Sequence, residues 1–90
     1  MKKNFNHFKI RWKKRFNYNL SWKKINNINK MIKNGNIPIA FVLDNKIDIY
    51  SYNYKIKKIC FIFYDKQRKV PITVYTDKML ERKIKHLKDD

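Results

Sequence analysis

Acidic residues and glycine are scarce in this sequence, and both shortages limit what the chain can be. Seven Asp and Glu stand against 23 Lys and Arg, which gives a formal net charge of +16 and a pI of about 10.1. With so few carboxylates, neither a metal site built on Asp and Glu nor a cofactor is predicted. A field this positive attracts polyanions, of which nucleic acid is the commonest.

The lysine excess also has a second explanation. Only one glycine is present, and the chain is crowded with Lys, Asn, Ile, Tyr and Phe, which is the composition that an AT-rich genome imposes. Part of the positive charge then reflects codon usage rather than binding. The residues that resist this bias are more informative, and they include Gly35 and the four arginines, Arg11, Arg15, Arg68 and Arg82.

A single cysteine, Cys60, excludes an internal disulfide, and no Cys/His cluster has zinc spacing. Because Cys60 lies in an apolar run, we interpret it as a buried hydrophobic residue rather than a nucleophile. The longest apolar run, IPIAFVL, is far shorter than the ~20 residues of a membrane-spanning helix. The N-terminus lacks the apolar core of a signal peptide, so we expect a cytoplasmic protein.

Bulky apolar residues are nevertheless plentiful. Hydrophobic residues make up 43% of the chain and aromatic residues 16%. This is enough for a packed core and argues against a disordered basic tail. Ninety residues suit one domain near the small end of what folds alone, so we predict a single small basic domain over residues 1–90.

The first third of the chain has the spacing of two amphipathic helices. Aromatic residues recur at steps of three and four from Asn4 to about Tyr18, which predicts the first helix; they are Phe5, Phe8, Trp12 and Phe16. The second helix is predicted to begin at an N-cap, Ser21, and to end at Gly35, where a left-handed backbone suits glycine. Its apolar face comprises Trp22, Ile25, Ile28 and Ile32.

After Gly35 the pattern becomes that of strands. Four segments separated by the turns DNK, KIKK and DKQRK are predicted to be strands: IPIAFVLD, IDIYSYNY, ICFIFY and VPITVYT. Pro38 places the first strand at a sheet edge, and the short connections favour an antiparallel meander. A last helix begins at Thr76 or Asp77, with an apolar stripe of Leu80, Ile84 and Leu87. The predicted class is α+β: two N-terminal helices, an antiparallel four-stranded β-meander and a C-terminal helix.

A polar column on another face of the first helix is the main candidate for chemistry. His7, Arg11 and Arg15 follow four-residue steps, and Lys14 and Tyr18 lie beside them. Imidazole moves protons near neutral pH, and guanidinium holds phosphate through two parallel hydrogen bonds. These are the parts of a metal-independent ribonuclease. A solvated cationic face that touches phosphates without catalysis explains the same spacing, and the spacing alone favours it.

Basic turns and a row of tyrosines complete the set of candidates. The nucleic-acid contacts predicted in the turns are Lys57, Lys58, Arg68 and Lys69. Tyr50, Tyr52 and Tyr54 share one strand face and offer a stacking surface for single-stranded bases. Tyrosines under a packed helix show the same alternation, and we favour that interpretation, although Asp48 on the same face indicates exposure.

Taken in order, these motifs resemble the small phage and bacterial proteins related to the RelE-type toxins, within the wider barnase, EndoU, colicin and RelE group of ribonuclease folds. The similar segments are HFKIRWKKRFNYNL, SWKKINNINKMIKNG and ICFIFYDKQRKVPITVYT, across roughly residues 7–76. That group has a first helix with His and two Arg, a second helix closed by glycine, a YD turn with basic residues and a last strand carrying Thr. The matching positions are His7, Arg11, Arg15, Gly35, Tyr64, Asp65, Arg68 and Thr73.

The resemblance implies a role for each matching side chain. His7 would be the general acid or base, and Arg11 and Arg15 would be phosphate ligands. Thr73 and Tyr75 would form part of the groove floor. This chain departs from the group in two places: FNY stands where relatives have a glycine after the second arginine, and DNK replaces an arginine-rich run.

We therefore predict an RNA-binding protein with metal-independent ribonuclease activity, as in a RelE-like toxin or a phage accessory protein. RNA is expected in preference to DNA, and the ribosome or an acidic antitoxin are further expected partners. Two alternatives stay open. One is a non-enzymatic basic protein that binds nucleic acid or the ribosome, and the other is a phage protein that binds an acidic host partner.

Overall fold

Two helices, a four-stranded sheet and a third helix form three layers. A computed structural model describes residues 5–56 and 58–88, with the side chains of the last helix as far as position 83. In chain order the elements are α1 (Asn6–Phe16), α2 (Trp22–Lys33), β1 (Ile39–Val42), β2 (Ile47–Lys55), β3 (Lys58–Asp65), β4 (Val70–Thr76) and α3 (Asp77–Lys88). Sheet order is β1-β2-β3-β4 with every pair antiparallel. The predicted α+β class and meander are confirmed.

The helix ends follow from local chemistry. Asn17 takes a left-handed conformation (φ 62°) and ends α1 slightly before the predicted Tyr18. The side chain of Ser21 caps α2 as predicted. Gly35 has φ 73°, the region that favours glycine. Thr76 Oγ1 accepts a backbone N–H in the first turn of α3 at 3.3 Å, which confirms its capping role.

The larger core lies between α1 and α2, here called the helical layer, and one face of the sheet. Phe8 and Trp12 are buried, and the Trp12 ring lies 6.4 Å from the ring of Tyr52 and 6.1 Å from that of Tyr54. Tyr50 and Tyr52 are each only 9% exposed. The tyrosine row is therefore packed beneath the helical layer, and the hypothesis that it stacks on bases is wrong.

Two exposures differ from those predicted. Trp22 belongs to the apolar side of α2 in the periodic pattern, yet it is 47% exposed, whereas Ile25, three residues later, is fully buried. Trp22 opens the first turn of α2, where the ring meets Lys9 rather than the sheet. Asp48, predicted to be exposed, is buried because Lys66 Nζ pairs with its carboxylate at 3.2 Å.

A smaller core lies on the opposite face of the sheet. Leu80 of α3 packs against Ile49 and Phe63. The side chains of Ile84 and Leu87 fall outside the described residues, so their place in the apolar stripe stays a prediction. Over the described residues, no helix combines the length and the apolar character needed to cross a membrane.

Candidate nucleic-acid interface

The charges are divided unequally between the layers of the fold. The first acidic residue of the chain is Asp44, so α1 and α2 contain nine Lys and Arg and no Asp or Glu. Mutual repulsion in such a layer is relieved when a polyanion binds across it. The two helices of the helical layer therefore carry charge of one sign only.

The carboxylates of the described residues all lie outside the helical layer, and most of them have local roles. Asp44 Oδ1 accepts the backbone N–H groups of Lys46 and Ile47 at 2.7 and 2.8 Å. Asp65 Oδ1 likewise accepts two backbone N–H groups in the β3–β4 turn. Together with Asp48, these residues lie where β2 begins and β3 ends. The acidic side chains thus organise turns at one end of the sheet.

Three of the four exposed lysines of α2, Lys23, Lys24 and Lys30, lie on its outer face and are here called the lysine cluster. They line one shallow depression together with Ser21, Asn26 and Asn27. Ile25, Ile28 and Ile32 occupy the opposite, buried side of the helix. Lys23 and Lys24 lie in the first turn, where the helix dipole is positive and added cations are unfavourable. A bound phosphate would offset this repulsion between the lysines and the helix dipole.

Trp22, the first residue of α2, adds an exposed aromatic ring to the helical layer. Lys9 Nζ lies 5.1 Å from the centre of the indole ring and also donates to the backbone oxygen of Leu20. This double contact fixes a cation against the ring and orients it. An oriented indole next to lysines is the combination on which single-stranded bases stack while their phosphates are neutralised.

His7 and Arg11 form the pair that their four-residue spacing predicts. Arg11 Nε donates to His7 Nε2 at 3.4 Å. His7 is exposed, and Arg11 is half-buried. Accepting at Nε2 leaves Nδ1 to carry the ring proton. The pair thus places an imidazole next to a guanidinium on the open side of α1, with the basic nitrogen Nε2 held by Arg11.

Arg15 contacts strand β4 instead. Its guanidinium lies 5.8 Å from the centre of the Tyr75 ring, and Lys83 of α3 lies 5.6 Å from the same ring. Tyr75 stacks on Phe63 at 4.6 Å, on the sheet face that α3 covers. Thr73 pairs with Phe63 in the ladder and shares that face. Arg15 therefore reaches around the edge strand to the face of Thr73 and Tyr75.

The remaining predicted contacts lie at both ends of the sheet. Tyr18 lies next to Trp12 and beneath Lys55, whose Nζ is 5.6 Å from its ring centre. Lys14 and Lys58 are exposed at the end where α1 finishes. Arg68 and Lys69 belong to the opposite end, and Asp65 holds Arg68 at 3.8 Å. Lys57 lies outside the described residues.

Burial suppresses the acidity of three other candidates for proton transfer. It raises the pKa of the Cys60 thiol to about 12. It also raises the pKa values of Tyr50 and Tyr64, with smaller contributions from Asp48 to Tyr50, and from Tyr50 and Asp65 to Tyr64. These groups stay protonated near neutral pH, which confirms the interpretation of Cys60 as a hydrophobic residue.

The sequence did not predict Trp22 or the lysine cluster as candidate nucleic-acid contacts. The available signal was the lack of any acidic residue before Asp44, together with lysines at positions 23 and 30, seven residues apart and opposite the isoleucine face. In the described part of the chain, no group of three or more His, Cys, Asp or Glu is arranged to hold a metal ion.

Comparison with known proteins gave no match among protein-family models, characterised proteins or solved structures. The resemblance to the RelE-type group consequently rests on the motifs quoted above.

Proposed function

We propose that the protein binds single-stranded RNA, in preference to DNA, across the helical layer. The observation that carries the proposal is that this layer holds nine cations without one carboxylate. Phosphate neutralisation supplies most of the affinity of such surfaces. A cytoplasmic location and a role as a RelE-like toxin, a phage accessory protein or a ribosome-binding factor fit this activity.

Support for a single strand comes from the aromatic ring within the charged surface. Trp22 is exposed, held by Lys9 and adjacent to Lys23 in the chain. Double-stranded RNA presents its bases stacked and paired, so an indole gains little from it. Unpaired bases can stack on the ring. We therefore expect unstructured RNA to bind more tightly than a duplex of the same length.

A charge-matched pair of triple variants tests the surface. Lys23→Gln/Lys24→Gln/Lys30→Gln removes three cations from the helical layer. Lys46→Gln/Lys78→Gln/Arg82→Gln removes three exposed cations elsewhere, so the net charge changes equally. Fluorescence anisotropy with a labelled single-stranded RNA should show about tenfold or greater weakening for the first variant and little change for the second. Equal weakening by both would mean that overall charge, rather than this surface, determines binding.

His7 and Arg11 favour cleavage as a second candidate function. In this reaction the Arg11 guanidinium leaves Nε2 of His7 and binds the phosphate. Nε2 then takes the proton of a ribose 2′-hydroxyl, and O2′ attacks the adjacent phosphorus. The bond to the 5′-oxygen breaks, and that oxygen takes up a proton from water, leaving a 2′,3′-cyclic phosphate. Arg11 stabilises the charge that develops on the phosphorane. By the resemblance, Arg15 and Thr73 belong to the same site, with Tyr75 in the groove floor.

Cleavage has a test that binding does not share. RNA is incubated with wild-type protein or His7→Ala in the presence of a chelator, alone and on translating ribosomes, and cyclic-phosphate ends are quantified. Wild type should cleave, and His7→Ala should bind equally well without cleaving. A strand with 2′-O-methyl groups should be bound and left intact. Equal cleavage or none with both proteins would reject the catalytic role and leave the binding proposal standing.

A further inference from the structure

The outer edge of β1 carries an apolar surface that RNA binding does not use. Ile39, Phe41 and Val42 are 52%, 46% and 65% exposed, and Leu43, which follows the strand, is 37% exposed. Among the described residues, β1 is the end strand of the sheet and pairs on one side only, with β2. No residue from Ile37 to Leu43 is charged. Edge strands are usually protected by charges, bulges or covering elements, because an open apolar edge templates another strand.

Apolar side chains project on both sides of this edge. Ile39 pairs with Tyr50 and Val42 with Asp48, which places both on the side of the helical layer. A register shift after Ile39 turns Phe41, opposite Ile49, to the other face. A strand added here would therefore find apolar neighbours above and below the sheet.

The main chain of β1 also directs hydrogen-bonding groups toward the open edge of the sheet. Leu43 N–H donates to Ile47 O at 3.1 Å, toward β2. Antiparallel ladders alternate inward and outward groups along a strand. Val42, which precedes Leu43, therefore directs its N–H and C=O away from β2 and toward the open edge.

The net charge of the protein and the area that an interface needs indicate which partner binds this edge. A second copy would carry the same +16 charge and add a strand of four residues. Stable specific interfaces bury about 1,200 Å² or more, well beyond what two such short strands provide. An acidic segment is attracted by the whole molecule and can extend past the strand toward exposed cations such as Lys46.

We propose that β1 is the docking edge for an extended acidic segment of another protein, which adds to the sheet as a fifth strand. Main-chain hydrogen bonds supply the pairing, and alternate side chains of the partner cover Ile39 and Val42 on one face and Phe41 on the other. The edge and the RNA-binding helical layer involve different residues, so each can be disabled separately.

A blocked, labelled peptide of about ten residues that alternates Val and Glu serves as the probe. Anisotropy should show that it binds wild type. Val42→Pro removes the outward N–H and should weaken binding about tenfold, whereas Val42→Thr keeps the N–H and should weaken it much less. Phe41→Ser should weaken binding without touching the main chain. Thermal melts establish that each variant is folded, and all should bind RNA normally.

Controls separate strand addition from general attraction between charges. A peptide with the same composition in two blocks, valines then glutamates, should bind poorly, and so should one with Lys in place of Glu. The triple variant of the lysine cluster should bind the alternating peptide normally. Equal binding by Val42→Pro and Val42→Thr, or equal binding of the block peptide, would overturn the proposal. So would a monomer–dimer equilibrium that Val42→Pro abolishes, because the edge would then belong to a second copy.

Discussion

Two residues with opposite exposure, the buried Cys60 and the exposed Trp22, report on different parts of this protein. Cys60 is fully buried in the larger core, and its thiol is held protonated by that burial. Trp22 is the exposed one of two tryptophans, since Trp12 is only 1% exposed. One residue therefore reports on the integrity of the core, and the other reports on the surface.

The raised pKa of Cys60 predicts a loss of stability in alkali. Below about pH 9 the thiol is protonated in both the folded and unfolded states, and its contribution is fully present. Above that pH only the unfolded chain releases the proton, so the free energy of unfolding falls by up to about 1.4 kcal/mol per pH unit toward the folded pKa. Tyr50 and Tyr64 add to the same trend at higher pH.

Urea unfolding of wild type and Cys60→Ala at a series of pH values measures this effect. Cys60→Ala should be less stable throughout because of the cavity it leaves. Its stability should stay flatter than that of wild type between about pH 9 and 10, because tyrosine ionisation is common to both proteins and only wild type has the thiol. Parallel curves for the two proteins would show that the thiol does not contribute to the pH dependence.

Trp22→Ala should weaken RNA binding by about 1–3 kcal/mol, the contribution of one stacked base. Its thermal stability should change little because the side chain is half exposed. Trp22→Phe, which keeps an aromatic ring, should retain most of the affinity. In a Trp12→Phe background the remaining fluorescence should be quenched by RNA, and an unchanged signal would place the nucleic acid elsewhere.

At the scale of elements, the turn between β3 and β4 contains backbone strain that a glycine substitution relieves. Lys69 has φ 59°, a left-handed conformation that costs a residue with a side chain about 1–2 kcal/mol. Its N–H donates to Asp65 O at 2.8 Å, which holds the turn closed. Lys69→Gly should therefore raise the free energy of unfolding by up to about 1 kcal/mol. Gln67→Gly, in the same turn but without positive φ, should lower it, and chemical denaturation distinguishes the two signs.

The elements themselves could be predicted because their apolar spacing and end signals are local. Ser21 and Gly35 end a helix through contacts within a few residues. The exposure of Trp22 could not be predicted, because periodicity identifies the face of a helix and not how far the sheet extends beneath it. Burial of Asp48 required Lys66, and their contact depends on the register of β2 with β3.

The candidate site was predictable to a smaller extent. Four-residue spacing placed His7 beside Arg11, which the structure shows. The contact of Arg15 with Tyr75 joins residues far apart in sequence, and only the resemblance placed both near one groove. Predicting the helical layer as one surface would have required knowing that α1 and α2 cover the same face of the sheet.

At the scale of the whole molecule, the positive charge should make RNA binding strongly dependent on salt. For single strands the logarithm of affinity falls with the logarithm of salt concentration by about 0.7 per phosphate contact. The triple variant of the lysine cluster should therefore have a slope shallower by about 2, whereas the charge-matched variant should keep the slope of wild type. Anisotropy titrations over a range of KCl concentrations measure both slopes, and identical slopes would exclude direct contacts by these lysines.

The packing of α1 along β4 brings together the first helix and the last strand of the chain. The meander pairs only neighbours in sequence, so each hairpin closes a short loop, whereas docking of α1 closes a loop of more than half the chain. Closure of a long loop costs more entropy and is expected late in folding. Substitutions at Trp12 should then mainly speed unfolding, and substitutions at Ile62 in the hairpins should mainly slow folding. The helix that carries His7 and Arg11 would be the last part of the molecule to become ordered.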